Sequence, residues 1–130
     1  MRNRKIYNVM SAKAVTGVGN FIDVRDFRNV VVSVATAGNA SFTLKCQGSI
    51  GDNSPAFASA ASATNAWDFI EMATLGDSSA PVRGATGVVS VADLCKLYEI
   101  NVNGLDFVSF NITAIAAGNI TVNLVAVDNA

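Results

Sequence analysis

Apolar and polar residues alternate along most of this chain, and alternation with a period of two is typical of β-strands that bury one face. Two stretches show it most clearly, residues 30–35 and residues 41–47. The side chains predicted to point inward there are Val30, Val32, Val34, Phe42, Leu44 and Cys46. Helical periodicity is nearly absent, so the pattern predicts an all-β protein.

A glycine–asparagine pair interrupts two of the alternating runs, Gly38–Asn39 in the first third of the chain and Gly118–Asn119 near its end. Both residue types tolerate the positive φ that tight two-residue turns require. Each pair therefore predicts a β-hairpin, in which the chain reverses and the second run returns beside the first.

The two predicted hairpins share the segment that precedes them, which indicates an internal duplication. The matched pairs are Ile22 with Ile100, Val24 with Val102, Phe27 with Leu105, Val30 with Val108, Gly38 with Gly118 and Leu44 with Leu124. Each unit has one apolar face that it cannot cover alone, and facing the two units buries both. We expect an antiparallel β-sandwich, jelly-roll-like, with about eight strands and an extended N-terminal arm.

The middle of the chain has a different composition from the two units. Residues 51–66 are rich in Ala and Ser and predict a surface loop, although Pro55 is also compatible with the start of a short helix. Residues 67–75 and two shorter runs, 88–94 and 95–102, predict further strands.

Trp67 is the one tryptophan of the chain, and we expect it to be buried. An exposed platform for a sugar ring needs aromatic neighbours on the same face, and Phe69 is the only near candidate in the sequence.

Length and hydropathy restrict the class of protein. At 130 residues the chain is expected to form one domain, and it contains no apolar run long enough to span a bilayer. The basic start is not followed by the apolar block of a signal peptide, so we expect the protein to remain in the cytoplasm where it is made. Cys46 and Cys95 are then expected to be reduced and buried as small hydrophobic residues.

The residues that most catalytic sites need are missing. There is no histidine, so Ser–His–Asp and Cys–His arrangements are absent. Because the chain also lacks a close pair of cysteines, we expect no metal site. Asp68 and Glu71 lie three residues apart, so on a strand they point to opposite faces. Asp23 and Asp26 flank a turn, where aspartates usually bond backbone N–H groups. We expect neither an enzyme nor a cofactor.

Charge divides the chain into a basic start and an acidic remainder. Four cations and no acid lie within residues 1–22, whereas the other 108 residues carry five basic and ten acidic groups, a net charge of −5. We predict a basic N-terminal arm at residues 1–18 and a single β-sandwich domain at residues 19–130. The arm is either a solvated terminus or a segment that docks on an acidic neighbour.

If the arm docks, its candidate partner-binding residues are Arg2, Arg4, Lys5 and Tyr7. Nucleic acid is not an expected partner, because the arm is short and the acidic body would repel phosphate. Charged residues make up only 15% of the chain, below the roughly 25% of typical soluble domains. A surface with so few charges suits a protein that partners largely cover.

Three segments give the chain a resemblance to a known family. They are "FIDVRDFRNVVVSVATAGNASFTLKCQGSI", "LYEINVNGLDFVSFNITAIAAGNITVNLVAV" and the "GATGV" between them. Together they resemble the small β-sandwich virion proteins of tailed bacteriophages, the capsid decoration (cement) and head-fibre-like proteins. Two features depart from that family: Asp26 stands where such proteins often have glycine, and residues 51–66 match none of its segments.

The resemblance implies a structural virion protein that binds and stabilises the outer surface of a capsid. Its implied partners are the major capsid protein and further copies of itself, in a homotrimer, with the N-terminal arm crossing onto the capsid or a neighbouring subunit. The implied location is the capsid surface, reached by assembly in the host cytoplasm, with no membrane and no nucleic acid contacted. Two other classes stay open: a carbohydrate-binding β-sandwich module of a fibre or tail, and a subunit of a tail tube or other virion shell.

Overall fold

The computed structural model describes residues 4–51, 55–61, 65–76 and 81–127, and this part of the chain is all β. Its nine strands form one antiparallel sheet that does not close into a barrel. The strands are β1 (Arg4–Lys13), β2 (Gly17–Val18), β3 (Ile22–Asp23), β4 (Asn29–Ser49), β5 (Trp67–Phe69), β6 (Ala73–Thr74), β7 (Val88–Ser90), β8 (Cys95–Asn101) and β9 (Phe107–Val127). Within the described ranges, no helix is long and apolar enough to cross a membrane.

Two long strands of 21 residues each, β4 and β9, organise the sheet. They pair with each other along their whole length, from Val30 opposite Ala126 to Ser49 opposite Phe107. The prediction of two hairpins is therefore wrong: neither Gly38–Asn39 nor Gly118–Asn119 reverses the chain. Positive φ angles of 80° at Gly38, 57° at Asn39 and 81° at Gly118 instead accompany an irregularity in the middle of each strand. The positive φ that suits a tight turn suits a β-bulge equally well.

The irregularities fold the sheet onto itself. A straight strand of 21 residues would be roughly 70 Å long, far too long for a compact domain of this size, whose radius of gyration is about 14 Å. The residues of β4 and β9 that belong to the core cluster have even numbers on both sides of this bend, so one face of each strand meets the core throughout. Since those residues belong to one core cluster, the two ends of the sheet pack on each other.

We call the two ends half-sheets A and B. Half-sheet A contains β1, β6, β8, residues 29–37 of β4 and residues 119–127 of β9. Half-sheet B contains β2, β3, β5, β7 and the remaining halves of β4 and β9. This arrangement is sandwich-like, and the predicted all-β sandwich fold is confirmed. Nine strands replace the expected eight in part because residues 67–75 form two short strands, β5 and β6, rather than one.

The predicted duplication appears as a reciprocal pairing of the two units. In the sequence repeat, Ile22 corresponds to Ile100 and Val30 corresponds to Val108. In the sheet, Ile22 pairs with Val108 and Ile100 pairs with Val30. The segment that precedes each long strand therefore pairs with the long strand of the other unit.

Two backbone hydrogen bonds repeat this exchange. The N–H of Val24 donates to the carbonyl of Asp106 over 2.9 Å, and the N–H of Val102 donates to that of Arg28 over 2.8 Å. Each unit therefore supplies a strand that pairs with the long strand of the other unit. The internal repeat of the sequence corresponds to an approximate symmetry of the fold.

The bend is tightly packed and held by one carboxylate. A Cβ on Gly118 would lie 2.6 Å from both the Ala37 carbonyl oxygen and the Ala40 Cα. Asp93 accepts hydrogen bonds from the backbone N–H of Asn39 and Ala40, over 3.1 and 2.8 Å. These contacts fix the place where the two half-sheets separate.

The segment predicted as an arm is extended over residues 4–13, where it forms β1 and pairs with β9 at the edge of the sheet. Val9 and Met10 of this strand lie in the core, 1% and 4% exposed. Because this strand contributes to the core, substituting its charged residues tests a docking role of the N-terminal segment more cleanly than deleting it would. The described parts of residues 51–66 form a loop, as predicted.

Candidate interaction surface

The outer face of half-sheet A is open to solvent. Residues paired directly across a sheet share a face, so the register defines rows of side chains on this side. One row runs from Ile6 through Val125 and Val31 to Glu99 and Ala73. We call the whole surface the bare face. Its members are Arg4, Ile6, Asn8, Val31, Ser33, Ala35, Ala73, Leu75, Cys95, Leu97, Glu99, Thr121, Asn123 and Val125.

The bare face is apolar or neutral over most of its width. Its only charged members are Arg4 and Glu99, and none of its members is buried. Ile6, Leu97 and Leu75 are 63%, 49% and 47% exposed. The central strands β4 and β9 contribute half-buried, uncharged side chains, so the surface is poor in charge.

The outer face of half-sheet B is covered instead at one end. At this end, the outward-pointing Gln47, Ser49, Phe107 and Ser109 are all buried. The Ser109 hydroxyl donates to the carbonyl oxygens of Gly19 and Asn20, both over 3.1 Å.

Two further contacts complete this cover. The Ser49 hydroxyl donates to the carbonyl of Ala66 over 2.6 Å. The ring of Phe21 packs edge-on against Phe107, with the ring centres 5.8 Å apart. Segments of the chain itself thus cover part of the outer face of half-sheet B, whereas the outer face of half-sheet A stays open.

The predicted partner-binding residues divide between the two faces of β1. Arg4 lies on the bare face, opposite Val127, whereas Lys5 and Tyr7 lie on the inner side of the strand, opposite Ala126 and Leu124. Arg4 and Lys5 are exposed, and Tyr7 packs partly against the core. Arg2 lies outside the described residues. The strand therefore separates these side chains rather than gathering them on one face.

The aromatic neighbours of Trp67 form a cluster that the sequence showed only in part. Trp67 is half-buried and meets Phe69 and the buried Phe57 edge to face, with centroid distances of 5.3 and 6.0 Å. Its indole N–H donates to the carbonyl of Ser59 over 3.0 Å. The Lys45 ammonium lies 4.8 Å from the Phe69 ring centre. Phe57 comes from the 51–66 segment, which strand periodicity could not place beside β5.

The two cysteines differ from each other. Both are free: Cys46 is buried as predicted, but Cys95 is exposed on the bare face, so the expectation of burial is wrong for it. Burial raises the pKa of the Cys46 thiol far above its usual range. Cys95 is exposed because it lies near the start of β8, on the outward side, where no other strand covers it.

The acidic residues considered as catalytic pairs lie on the surface. Asp23 forms an ion pair with Arg25, and the hydrogen bond from that guanidinium lowers the pKa of Asp23. Asp68 and Glu71 are exposed, and the Asp68 carboxylate accepts a hydrogen bond from the N–H of Phe69 over 2.7 Å. Among the described residues, no group of three or more Cys, Asp or Glu side chains is placed to hold a metal ion.

Comparison with known structures identifies the fold. The SPBc2 prophage-derived protein YomS matches with a TM-score of 0.74 at 13% sequence identity, covering 98% of this chain and 96% of YomS. The PBSX exported protein XepA matches with a TM-score of 0.71 at 14% identity, covering 98% of this chain but 38% of XepA. No protein-family model matches the chain, and no curated protein does. The protein therefore shares its fold, along nearly its whole length, with a prophage-derived protein.

Proposed function

We propose that this protein is a non-catalytic structural component of a bacteriophage virion that binds and stabilises the outer surface of the capsid. The observation that supports it most is the bare face, a four-strand surface with an added edge strand that carries only two charged side chains. Large, charge-poor surfaces of soluble proteins usually mark sites of association. The prophage origin of YomS supports the phage assignment.

The partner we propose is the major capsid protein, with further copies of this chain in a homotrimer. The apolar side chains of the bare face, among them Ile6, Val31 and Leu97, supply contact area. Arg4 at its corner and Lys5 on the neighbouring side of β1 supply positive charge for an acidic partner surface. Rim charges of this kind accelerate association and make it sensitive to salt.

The experiment uses purified protein and capsids that lack it, from the phage in whose genome the gene lies. Binding is measured by co-sedimentation, and analytical ultracentrifugation of the free protein gives the number of copies. Ile6→Lys places a charge on the bare face, and Ile50→Lys is the matched control, because Ile6 and Ile50 are 63% and 62% exposed and Ile50 lies outside the bare face. We expect Ile6→Lys to abolish capsid binding and Ile50→Lys to leave it unchanged.

Removing charge from β1 gives a second variant for the same assay. Arg4→Gln with Lys5→Gln should weaken binding at low salt and have less effect at high salt, where the charges are screened. Equal binding by wild type, Ile6→Lys and the double variant would overturn the proposal.

A second candidate function is carbohydrate binding by a fibre or tail module. The observation that favours it is the cluster of Phe57, Trp67 and Phe69, which gives Trp67 the aromatic company that such sites use. The edge-to-face contacts leave only part of each ring available for stacking on a sugar. A glycan array would decide: binding that Trp67→Ala abolishes and Ile6→Lys leaves intact would favour this function over capsid binding.

A further inference from the structure

A cleft of about 520 Å³ opens at one side of the sandwich, between β8 and the segment 81–90. Lys96 and Tyr98 of β8 form one wall, and they lie on the inner face of half-sheet A because they pair with the buried Val34 and Val32. Lys96 is itself exposed, so half-sheet B does not cover the inner face at this position. The cleft is therefore an opening from the solvent into the space between the two half-sheets.

The opposite wall is firmly attached to the rest of the sheet. Val82 exchanges two backbone hydrogen bonds with Met72, over 2.8 and 3.0 Å. At Gly84 an added Cβ would lie 2.8 Å from the backbone of Phe69, and at Gly87 it would lie 2.6 Å from the Leu44 carbonyl oxygen. The turn between these glycines is closed by the Gly87 N–H, which donates to the Arg83 carbonyl over 2.8 Å. Arg83 thus projects from a wall whose backbone is held at several points.

The charge of the cleft is opposite to that of the body. Arg83 and Lys96 line it, and no Asp or Glu is among its described lining residues. Residues 23–130 carry ten acids and five cations, and two of those five cations line this cleft without a described carboxylate. Neither residue forms an ion pair with a described acid, since the ion pair of the described chain joins Asp23 and Arg25.

The rest of the lining combines hydroxyl groups with an apolar floor. Tyr98 is 2% exposed, and burial raises the pKa of its phenol, which therefore keeps its proton and can donate a hydrogen bond. Thr86 and Ser90 add hydroxyls, and Val88 and Leu94 add apolar surface. A volume of this size suits a short peptide or small molecule.

We propose that this cleft binds a carboxylate-bearing, otherwise apolar peptide segment of a partner protein, with Arg83 and Lys96 pairing the carboxylate and the Tyr98 region receiving the adjoining apolar side chains. Guanidinium–carboxylate pairing is among the strongest polar contacts a partly enclosed site offers. The inference does not depend on the proposed capsid role, because it concerns the isolated chain.

The test is a titration of the isotope-labelled full chain, followed by the amide resonances of residues 82–98. The probes are acetyl-Val-Glu-Val-amide, its glutamine counterpart acetyl-Val-Gln-Val-amide, and inorganic phosphate. We expect saturable shifts near Arg83, Gly87 and Lys96 with the glutamate peptide, and binding of the glutamine peptide more than about tenfold weaker because the charge-assisted pairs are lost. Added salt should weaken the glutamate complex.

Two variants locate the site. The double variant Arg83→Gln with Lys96→Gln changes exposed side chains, so its unaffected resonances outside the cleft will report an intact fold; it should lose the glutamate peptide. Lys45→Gln is the matched control, because it removes a cation that lies over Phe69, outside the cleft, and it should bind as wild type does.

Three results would overturn the inference: no saturable shift in residues 82–98, equal binding of the two peptides, or unchanged binding by the double variant. Phosphate shifts as strong as those of the glutamate peptide would also overturn it, since the cleft would then be a general anion site. Capsid binding could fail while this titration succeeds, or the reverse, so the two proposals are separable.

Discussion

Half-sheets A and B are built from the same two long strands, yet the outer face of A is open, whereas that of B is covered at the end formed by residues 47–49 and 107–109. On β4, the outward-pointing Val31, Ser33 and Ala35 of half-sheet A are half-buried, whereas Gln47 and Ser49 of half-sheet B are buried. Alternation along a strand indicates which face meets the core. Whether the other face meets water, a loop or a partner depends on segments that are distant in sequence.

The largest expected effect comes from placing a lysine on each outer face. Ser109→Lys would bury a charge beneath residues 19–20, so we expect it to lower the free energy of unfolding by at least about 3 kcal/mol. Ser33→Lys on the bare face should change it by no more than about 0.5 kcal/mol. Urea unfolding of both variants measures the difference. Equal losses in the free energy of unfolding would mean that Ser109 is no more covered than Ser33.

The next effect concerns the bend that separates the half-sheets. Gly118→Ala adds a Cβ within 2.6 Å of Ala40 Cα at a φ of 81°, and we expect a loss of roughly 2–4 kcal/mol. Gly104→Ala is the control, because Gly104 also has positive φ but nothing lies within 4 Å of its Cβ position. Its cost should be about 1 kcal/mol, the conformational strain alone. Thermal or urea unfolding that ranks the two variants equally would contradict a close-packed bend.

A smaller effect, of opposite sign, is expected at Gln47. Both polar atoms of its side-chain amide are buried and have no hydrogen-bond partner among the described residues. Gln47→Met keeps the length of the side chain and removes the unsatisfied amide, so it should stabilise the protein by about 1–2 kcal/mol. Urea unfolding at neutral pH measures this gain. A loss of stability would show that the amide is satisfied under the cover of half-sheet B.

The smallest effect is a pH dependence at the bend. The hydrogen bond from the N–H of Ala40, with those from Asn39 and Thr36, holds the pKa of Asp93 below its usual 3.8. A carboxylate with a lowered folded pKa stabilises fully above its unfolded pKa and loses that contribution as pH falls through the folded value. Asp93→Asn should therefore be less stable than wild type at neutral pH, and thermal unfolding should show the difference shrinking below about pH 4. A difference that stays constant down to acidic pH would exclude this role of the charge.

The sequence predicted the class of fold and much of the core, because both follow from local alternation. Val30, Leu44, Phe110 and Leu124 are buried as their positions indicated. The prediction failed at Gly38 and Gly118, where a local preference for positive φ is compatible with a turn and with a bend. The pairing of β4 with β9 decides between them, and it joins residues 58 to 96 positions apart, such as Ser49 with Phe107 and Val30 with Ala126.

The candidate surfaces were harder to predict for the same reason. Basic residues near the N-terminus are visible in the sequence, and Arg4 does lie on the bare face. The face itself brings together Ile6, Val31, Leu97 and Val125 from four strands, an adjacency that no local pattern contains. The cleft likewise unites Arg83 from a turn with Lys96 from β8, in separate segments.

The most direct test of the bare face as the binding surface uses the protein's own thiols. Cys95 is exposed on that face, and Cys46 is buried in the core. In the free protein, a maleimide reagent should modify Cys95 and leave Cys46 unmodified, as peptide mass spectrometry would show. On capsids, Cys95 should react much more slowly while Cys46 stays unmodified. Modification of Cys95 at the same rate in free and capsid-bound protein would contradict it.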